Sequence, residues 1–287
     1  MNVHWWTREG LDYREGELHL GRQNLADLVQ SAGTPTFVYD ATRIAANLER
    51  IHTALDKHEV EHEIFFALKA NRYLPLVTFL KLNGRCGLDV CSPNEMRLGR
   101  QLGFREEQLV YTNTSVSKED IEWLARHPRV HVNVDSLSSL RRLATRCPGR
   151  SLGLRINPQM GVAYHDHLTY SGDKITKFGI YEDRFSEALA LASELGTPIN
   201  ALHFHMGSGY MTPDLAQFDQ VLSRVHQFVE QCPNVNTLDI GGGLGVPMRP
   251  EDEGLDLDQW ATVVARHARE MGVKIQLEPG DYLLKDA

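Results

Sequence analysis

Eight short runs rich in β-branched, aliphatic and aromatic residues alternate with amphipathic stretches, and this alternation narrows the possible folds more than any other feature. The amphipathic stretches carry apolar residues at three- and four-residue steps, the period of a helix with one buried face. The alternation predicts an α/β fold, a (β/α)8 barrel of the TIM type, with a doubly wound parallel sheet as the alternative. The predicted strands are IFFALKA (64–70), RCGLDV (85–90), QLVYTN (108–113), VHVNVDS (130–136), SLGLRIN (151–157), NALHFHM (200–206), TLDIGGG (237–243) and KIQLEPG (274–280).

Polar or glycine residues lie at the ends of these predicted strands. In a parallel barrel all strands end on the same face, where the connections to the helices build binding and catalytic sites. The sequence therefore predicts that a polar site forms at one mouth of the barrel. The residues are Lys69, Asp89, Asn113, Asp135, Arg155, His203, His205, Gly241–Gly243 and Glu278.

Composition and charge disfavour several classes of partner. The chain of 287 residues has a formal net charge of −8 and no basic run, which argues against nucleic acid and against an anionic membrane surface. It has no apolar signal core and no apolar run of about 18 residues, the length needed to span a membrane. Its four cysteines show no CxxC spacing, so we expect free thiols and a cytoplasmic protein. A small molecule is the expected ligand.

Lys69 ends a run that otherwise has the composition of a buried strand. With a period of two, Phe65, Ala67 and Lys69 share one face, and in a barrel that face points into the mouth. A partly desolvated lysine has an accessible neutral amine, which can form a Schiff base with an aldehyde. The other interpretation is an ordinary lysine whose stem lies along apolar surface and whose charge reaches solvent.

Two glycine-containing segments offer unobstructed backbone N–H groups to an anion. DIGGGLGVP places three consecutive glycines after a strand, and HFHMGSG adds the side chains of His205 and Ser208. The first segment fails the dinucleotide fingerprint because Val246 occupies a position that requires glycine, but it can still take one phosphate. His203 and His205 share one strand face, yet no third ligand follows at a diagnostic spacing, so no metal site is predicted.

A lysine amine, a phosphate cup, a flat histidine and the acid Glu278 at one barrel mouth together describe a pyridoxal phosphate site. The chain resembles the fold-type III pyridoxal-phosphate decarboxylases, the group with an alanine racemase-like barrel that includes diaminopimelate and ornithine decarboxylases. The resemblance covers residues 34–287 and rests on FALKAN, GLDVCSPNE, VDS, LRINP, TKFGI, HFHMGSG, LDIGGGLG and LEPG, which occur in the family's order.

The resemblance implies a role for each candidate site residue. Lys69 would hold the cofactor as a Schiff base, His205 would stack on its ring, and Glu278 would pair with the ring nitrogen. The implied reaction is decarboxylation of an amino-acid substrate of the diaminopimelate, lysine or ornithine type. Ser208, Gly241, Gly242 and Gly243 would hold the phosphate, and Asp89 and Arg155 would line the cofactor pocket.

The resemblance also predicts how the chain divides into domains. Family members continue past the barrel into a β-domain and form homodimers whose sites are completed across the interface, whereas this sequence stops at Ala287. We expect residues 41–287 to form the barrel and residues 1–40 to form an arm whose strand, 34–40, pairs with a β-domain missing from this chain. The connection 158–181 is long enough to serve the site or an interface.

Asp281 bears on substrate choice, because the family commonly has an arginine at this position. An aspartate facing the pocket would repel a distal carboxylate and favour a distal amine, which predicts lysine or ornithine, including a D-enantiomer. Diaminopimelate decarboxylase proper, acting in lysine biosynthesis, is the alternative if Asp281 points away. A non-catalytic cofactor carrier and an inactive regulatory barrel are further alternatives. A racemase is disfavoured because its family places an arginine where this chain has Glu278.

Overall fold

A small antiparallel sheet and one helix precede the main body of the protein. The computed structural model describes residues 7–162, 175–249 and 251–287. The three strands pair in the order β1-β2-β3, and the helix starts directly after the third strand. Asn24 caps this helix, since its side-chain oxygen accepts a hydrogen bond from the Ala26 N–H at 2.8 Å. The elements are β1 (Leu11–Arg14), β2 (Glu17–Leu20), β3 (Gln23–Asn24) and α1 (Leu25–Ala32).

Eight parallel strands then close into a barrel, which confirms the predicted fold class. Their order around the barrel is β10-β11-β4-β5-β6-β7-β8-β9, and hydrogen bonds between β10 and β9 complete the ring. Each of the eight predicted segments overlaps one of these strands, although β4 begins two residues before its segment and β9 one residue before. They are β4 (His62–Ala67), β5 (Gly87–Val90), β6 (Leu109–Thr112), β7 (His131–Val134), β8 (Leu152–Arg155), β9 (Ile199–His203), β10 (Thr237–Asp239) and β11 (Lys274–Leu277).

Helices between and around the strands form the outer layer of the barrel. Several begin at side chains that cap them: Asp40 accepts from the Thr42 N–H at 2.9 Å, and Ser92 accepts from the Glu95 N–H at 3.2 Å. The helix over Ala41–Lys57, which precedes β4, packs against the last long helix, Leu257–Met271, and against the short final helix, Asp281–Leu284. These contacts close the outer ring of helices. The helices are α2 (Ala41–Lys57), α3 (Leu74–Asn83), α4 (Pro93–Gln101), α5 (Lys118–Ala125), α6 (Leu137–Arg146), α7 (Glu182–Glu194), α8 (Leu215–Val229), α9 (Leu257–Met271) and α10 (Asp281–Leu284).

The barrel strands are buried on both faces, as parallel strands covered by helices must be. Every residue of β5, β6 and β8 is buried. Buried charged residues occur where strands end: Arg155 closes β8, Asp239 closes β10 and Glu278 follows β11. All four cysteines are unpaired, which confirms that prediction. Within the described ranges, none of the helices combines the length and apolar character needed to cross a membrane.

One detail of the strand predictions is wrong, the end of the first barrel strand. Residues 34–40 form no hydrogen-bonded ladder within the described residues, and Phe37 in this segment is 90% exposed. That these residues form a strand paired with a β-domain stays a prediction. The strands of the N-terminal arm lie earlier, between Leu11 and Asn24. Strand β4 stops at Ala67, so Lys69 lies on a turn of 3₁₀ helix beyond it, over Leu68–Ala70. Of the predicted connection 158–181, residues 163–174 lie outside the described residues.

Candidate active site

A cavity of about 560 Å³ opens at the carboxyl ends of the barrel strands. Its position is the one predicted from the polar strand ends. Asp89 and Gly241 are not among the lining residues but contact residues that are. The predicted site residues that line the cavity are Lys69, Arg155, His205, Ser208, Gly242, Gly243, Glu278 and Asp281.

Lys69 reaches the cavity from the turn beyond β4 and binds Asp89. The Lys69 Nζ donates to Asp89 Oδ2 at 2.6 Å, and the lysine side chain keeps 56% of its surface open to the mouth. Burial by itself would lower the pKa of Lys69, but the carboxylates of Asp89 and Glu278 outweigh it, and the pKa is raised. The expectation of an accessible neutral amine is therefore wrong for this arrangement, because two acids face the ammonium.

Asp89 is the ion-pair partner of Lys69. The sequence predicted only that it lines the cofactor pocket. It lies on β5 with 1% of its surface exposed, and its Oδ1 has no hydrogen-bond partner among the described residues. Burial, and secondly the charge of Glu278, raise the pKa of Asp89 to about 7, although Lys69 acts in the opposite direction. Asp89 can therefore exchange a proton near neutral pH.

Glu278 is held by a chain of buried polar side chains that runs across the barrel. Its Oε2 accepts from His203 Nε2 at 3.2 Å, and its Oε1 accepts from Thr112 Oγ1 at 3.4 Å. Asn133 Nδ2 in turn donates to Thr112 Oγ1 at 3.0 Å, and Asn133 Oδ1 lies 3.0 Å from His131 Nε2. Burial alone would raise the pKa of Glu278, but His203, followed by Lys69, lowers it below its ordinary value. Glu278 is therefore an ionised carboxylate with fixed orientation.

His205 presents a neutral ring to the cavity. The Gly242 N–H donates to His205 Nδ1 at 3.3 Å, so Nδ1 carries the lone pair and the proton lies on Nε2. Burial, followed by the charges of Arg155 and Lys69, lowers the pKa of His205 to about 3. An uncharged, flat ring at this position can stack on a planar ligand without adding a positive charge.

The three glycines Gly241–Gly243, which we call the glycine cradle, are required by close backbone contacts. Gly241 has φ +67°, and a Cβ there would lie 2.7 Å from His205 Nδ1. A Cβ on Gly242 would overlap the Glu278 carbonyl oxygen, and one on Gly243, at φ +96°, would overlap the Gly207 carbonyl oxygen. Only glycine tolerates both the left-handed backbone and the contact. The cradle thus brings backbone beside the cavity where side chains would block it.

Arg155 and Asp281 both line the cavity. The Arg155 guanidinium is stacked 4.6 Å from the centre of the Phe178 ring, and burial lowers its pKa. Asp281 starts α10, and its Oδ2 lies 3.0 Å from Lys285 Nζ. Because Lys285 also lines the cavity, the negative charge of Asp281 is offset where a substrate would meet it. The argument that this aspartate repels a distal carboxylate is weakened accordingly.

Sequence reasoning missed several residues of the site. His203 was predicted to lie at the barrel mouth and weighed there as a metal ligand, but its contact with Glu278 was not foreseen. Asp239, Thr112 and Lys285 were not assigned any role. Asp239 is fully buried, accepts from the Gly241 N–H at 2.8 Å and has a pKa raised by burial and by Glu278. The inward alternation of β9 could have identified His203, whereas nothing in the local sequence indicates that Thr112 meets Glu278.

Comparisons with known proteins agree with this geometry. A family model described as pyridoxal-dependent decarboxylase, pyridoxal binding domain, matches residues 41–285. The chain is 32% identical over 286 residues to diaminopimelate decarboxylase of Methanothermobacter thermautotrophicus, covering 95% of this chain and 66% of that protein. It is 28% identical over 284 residues to diaminopimelate decarboxylase of Aquifex aeolicus, covering 96% and 66% of the two. The chain thus spans 66% of the length of these two relatives.

Solved structures share the fold. The structure of AQ1208 from Aquifex aeolicus superposes with a TM-score of 0.82 at 26% identity, covering 96% of this chain and 64% of that one. Diaminopimelate decarboxylase from Helicobacter pylori, solved in complex with L-lysine, superposes with a TM-score of 0.81 at 24% identity, covering 91% and 66%. At that identity the second likeness concerns the fold alone.

Proposed function

Because the chain belongs to the pyridoxal-dependent decarboxylase family through its pyridoxal binding domain, we propose that it forms the cofactor-binding barrel of a diamino-acid decarboxylase. The observation that carries this proposal is that one cavity holds Lys69, the His203–Glu278 pair and the glycine cradle. They supply an amine for an aldehyde, an anion for a ring nitrogen and backbone N–H groups for a phosphate.

The residues present fit pyridoxal phosphate. The glycine cradle and Ser208 would hold the phosphate, because a Cβ at any of the three glycines would meet backbone or side-chain atoms within the site. His205 would stack on the ring, and Glu278, kept ionised by His203, would bind the protonated ring nitrogen. Arg155 and Asp89 would lie beside the ring.

When bound, pyridoxal phosphate supplies an electron sink for the electron pair that the departing carboxylate leaves behind. The contribution of Glu278 is to hold a proton on the ring nitrogen. A carboxylate does this best in a water-poor site where its own orientation is fixed, and Glu278 is 6% exposed with partners on both oxygens. His205 is uncharged near pH 7, so it would add no charge beside the cofactor ring, and Glu278 would be the residue that balances the protonated ring nitrogen.

Lys69 and Asp89 act as a pair in this proposal. Lys69 must lose a proton before its Nζ can bond covalently to an aldehyde, and its raised pKa keeps that proton in place. Asp89 accepts from Lys69 Nζ at 2.6 Å and has a pKa of about 7, so it is placed to receive the proton and to return it. The Lys69 amine would also be the proton donor to the product carbon.

For the substrate we propose diaminopimelate. Both curated relatives described above are named diaminopimelate decarboxylase. Such a substrate has a second carboxylate, and Lys285, which lines the cavity and pairs with Asp281, offers a cation to it. Lysine or ornithine, including a D-enantiomer, is the second candidate, because Asp281 also lines the cavity and would attract a distal ammonium.

The assembly around the barrel is also a proposal. We propose that residues 41–287 are the pyridoxal-phosphate barrel, that residues 1–40 belong with a β-domain, and that two copies form a homodimer whose sites are completed across the interface. The family resemblance of the barrel supports this assembly. Sedimentation of the full-length protein checks the dimer.

Carbon dioxide release by the full-length protein tests the function and the substrate together. Meso-diaminopimelate, both enantiomers of lysine and both enantiomers of ornithine are offered singly and in competition. Diaminopimelate should be preferred, and Lys285→Gln should lower that preference, whereas Asp281→Asn should leave it in place. Preference for lysine or ornithine in the unaltered protein contradicts the substrate proposal. Absence of carbon dioxide from every substrate contradicts the reaction.

A further inference from the structure

A second group of metal-type ligands lies outside the barrel mouth, where helices α8 and α9 meet. It consists of His226 from α8 and of His267 and Glu270 from α9. We propose that this group, which we call the helix-seam site, binds a divalent transition-metal ion of the zinc type. The proposal is independent of the proposed function, because none of these residues lines the cavity at the barrel mouth.

The three ligand atoms have the separations that a tetrahedral ion needs. His226 Nε2 lies 2.9 Å from His267 Nδ1, and Glu270 Oε2 lies 3.7 Å from the former and 3.9 Å from the latter. Zinc bonds to nitrogen and carboxylate oxygen are about 2.0–2.2 Å long, so two ligands of a tetrahedral ion stand roughly 3.3–3.6 Å apart. The observed distances bracket that range. Small side-chain rotations, together with loss of the proton that His226 Nε2 donates to His267 Nδ1, would therefore bring all three ligand atoms onto the ion.

Asp219 fixes the tautomer of His267 that metal binding requires. Asp219 Oδ1 lies 2.6 Å from His267 Nε2, so Nε2 carries the proton and Nδ1 turns its lone pair toward the other two ligands. Arg266 approaches the same nitrogen at 3.1 Å, but it has no lone pair and itself forms an ion pair with Asp219. A carboxylate behind a ligating histidine is the usual support of such a ligand.

The helix framework holds two ligands firmly and leaves the third adjustable. His267 and Glu270 are three residues apart and therefore lie on one face of α9, toward α8. The His267 side chain is 3% exposed and packed in place, whereas Glu270 is 51% exposed and can swing onto the ion. Water can occupy the fourth position from the solvent side. The ion would thereby join two helices of the outer layer.

Metal titration of the chelator-treated full chain tests the site. Zn²⁺ binding is followed by calorimetry and Co²⁺ binding by the visible absorption of a tetrahedral ion, and circular dichroism verifies that each variant is folded. The unaltered chain should bind one ion at this site, and Asp219→Asn should weaken it about 10–100-fold. His226→Ala and Glu270→Gln, which remove ligands, should weaken it further.

His58→Ala is the matched control. His58 is 21% exposed, close to the 23% of His226, and its Nε2 lies 2.9 Å from a single carboxylate of α9, Asp258. It should leave binding unchanged. Undiminished binding in folded His226→Ala overturns the proposal, as does failure of the unaltered chain to bind. Loss of binding in Glu278→Gln alone also overturns it, because the ion would then lie in the buried His203, Asp239 and Glu278 group.

Discussion

Replacing Glu278 by glutamine should separate turnover from stability. The carboxylate accepts from His203 at 3.2 Å and from Thr112 at 3.4 Å. A hydrogen bond to a charged group contributes about 1.5–3 kcal/mol and a neutral one about 0.5–1.5 kcal/mol, so Glu278→Gln loses roughly 2 kcal/mol over two bonds. The substitution also removes a buried negative charge that raises the pKa of Asp89 and of Asp239, so these two acids lose an unfavourable neighbour.

The second effect opposes the first, so the free energy of unfolding should fall by no more than the roughly 2 kcal/mol of the two hydrogen bonds. Turnover has no such compensation. Loss of a positioned charge partner typically costs about 10²–10³ in rate, since the ring nitrogen would no longer hold its proton. Cofactor binding should persist, because the glycine cradle, Ser208 and Lys69 are unchanged.

The measurements are carbon dioxide release, cofactor absorbance and urea unfolding of Glu278→Gln in the full-length protein. Glu63→Gln is the matched control: Glu63 lies at the other end of the barrel and accepts from Lys274 at 2.8 Å and from Gln276 at 3.0 Å. The control should keep its turnover. Two results would refute the assigned role of Glu278. One is turnover of Glu278→Gln within tenfold of the unaltered protein, and the other is loss of cofactor binding in proportion to the loss of turnover.

Three further predictions concern the cofactor and the acids around it. Borohydride reduction of the cofactor-loaded protein should fix the cofactor covalently on Lys69. Lys69→Ala should abolish this labelling, whereas Lys81→Ala, on α3, should not; peptide mapping that finds the label elsewhere rules out Lys69. Gly243→Ala should lower cofactor affinity more than tenfold and destabilise the fold by about 1–3 kcal/mol. The cause is that residue 243 has φ +96° and that a Cβ there would overlap the Gly207 carbonyl oxygen. Calorimetry measures the affinity and thermal unfolding the stability. Asp89 binds its proton more tightly when folded, so its stabilising contribution is complete below pH 3.8 and is lost as pH rises through about 7. The free energy of unfolding, measured by urea, should therefore decline less between pH 3.8 and about 7 in Asp89→Asn than in the unaltered protein. The same decline in both proteins would contradict the raised pKa.

Much of the architecture follows from local patterns. The sequence pattern located all eight barrel strands. A parallel strand that is buried on both faces is a short apolar run, and the helix that follows it has apolar residues at three- and four-residue steps, so both can be recognised locally. The glycine cradle was equally visible, since consecutive glycines in a strand end have few other uses. The strand predicted at residues 34–40 stays a prediction, because strand-forming composition does not itself supply the neighbouring strand with which it would pair.

The charges of the site were decided by tertiary structure. The partners of Glu278 are His203 and Thr112, which lie 75 and 166 residues away along the chain. Strand periodicity reports which residues are buried but carries no information about which buried side chains face each other across a closed barrel. Lys69 was found from its place at a strand end, yet its charge depends on Asp89 from the next strand. Because electrostatic interactions depend on distance in space, closure of the barrel determined these protonation states. The offset of Asp281 by Lys285 is instead local, since the two residues are four apart on the final helix.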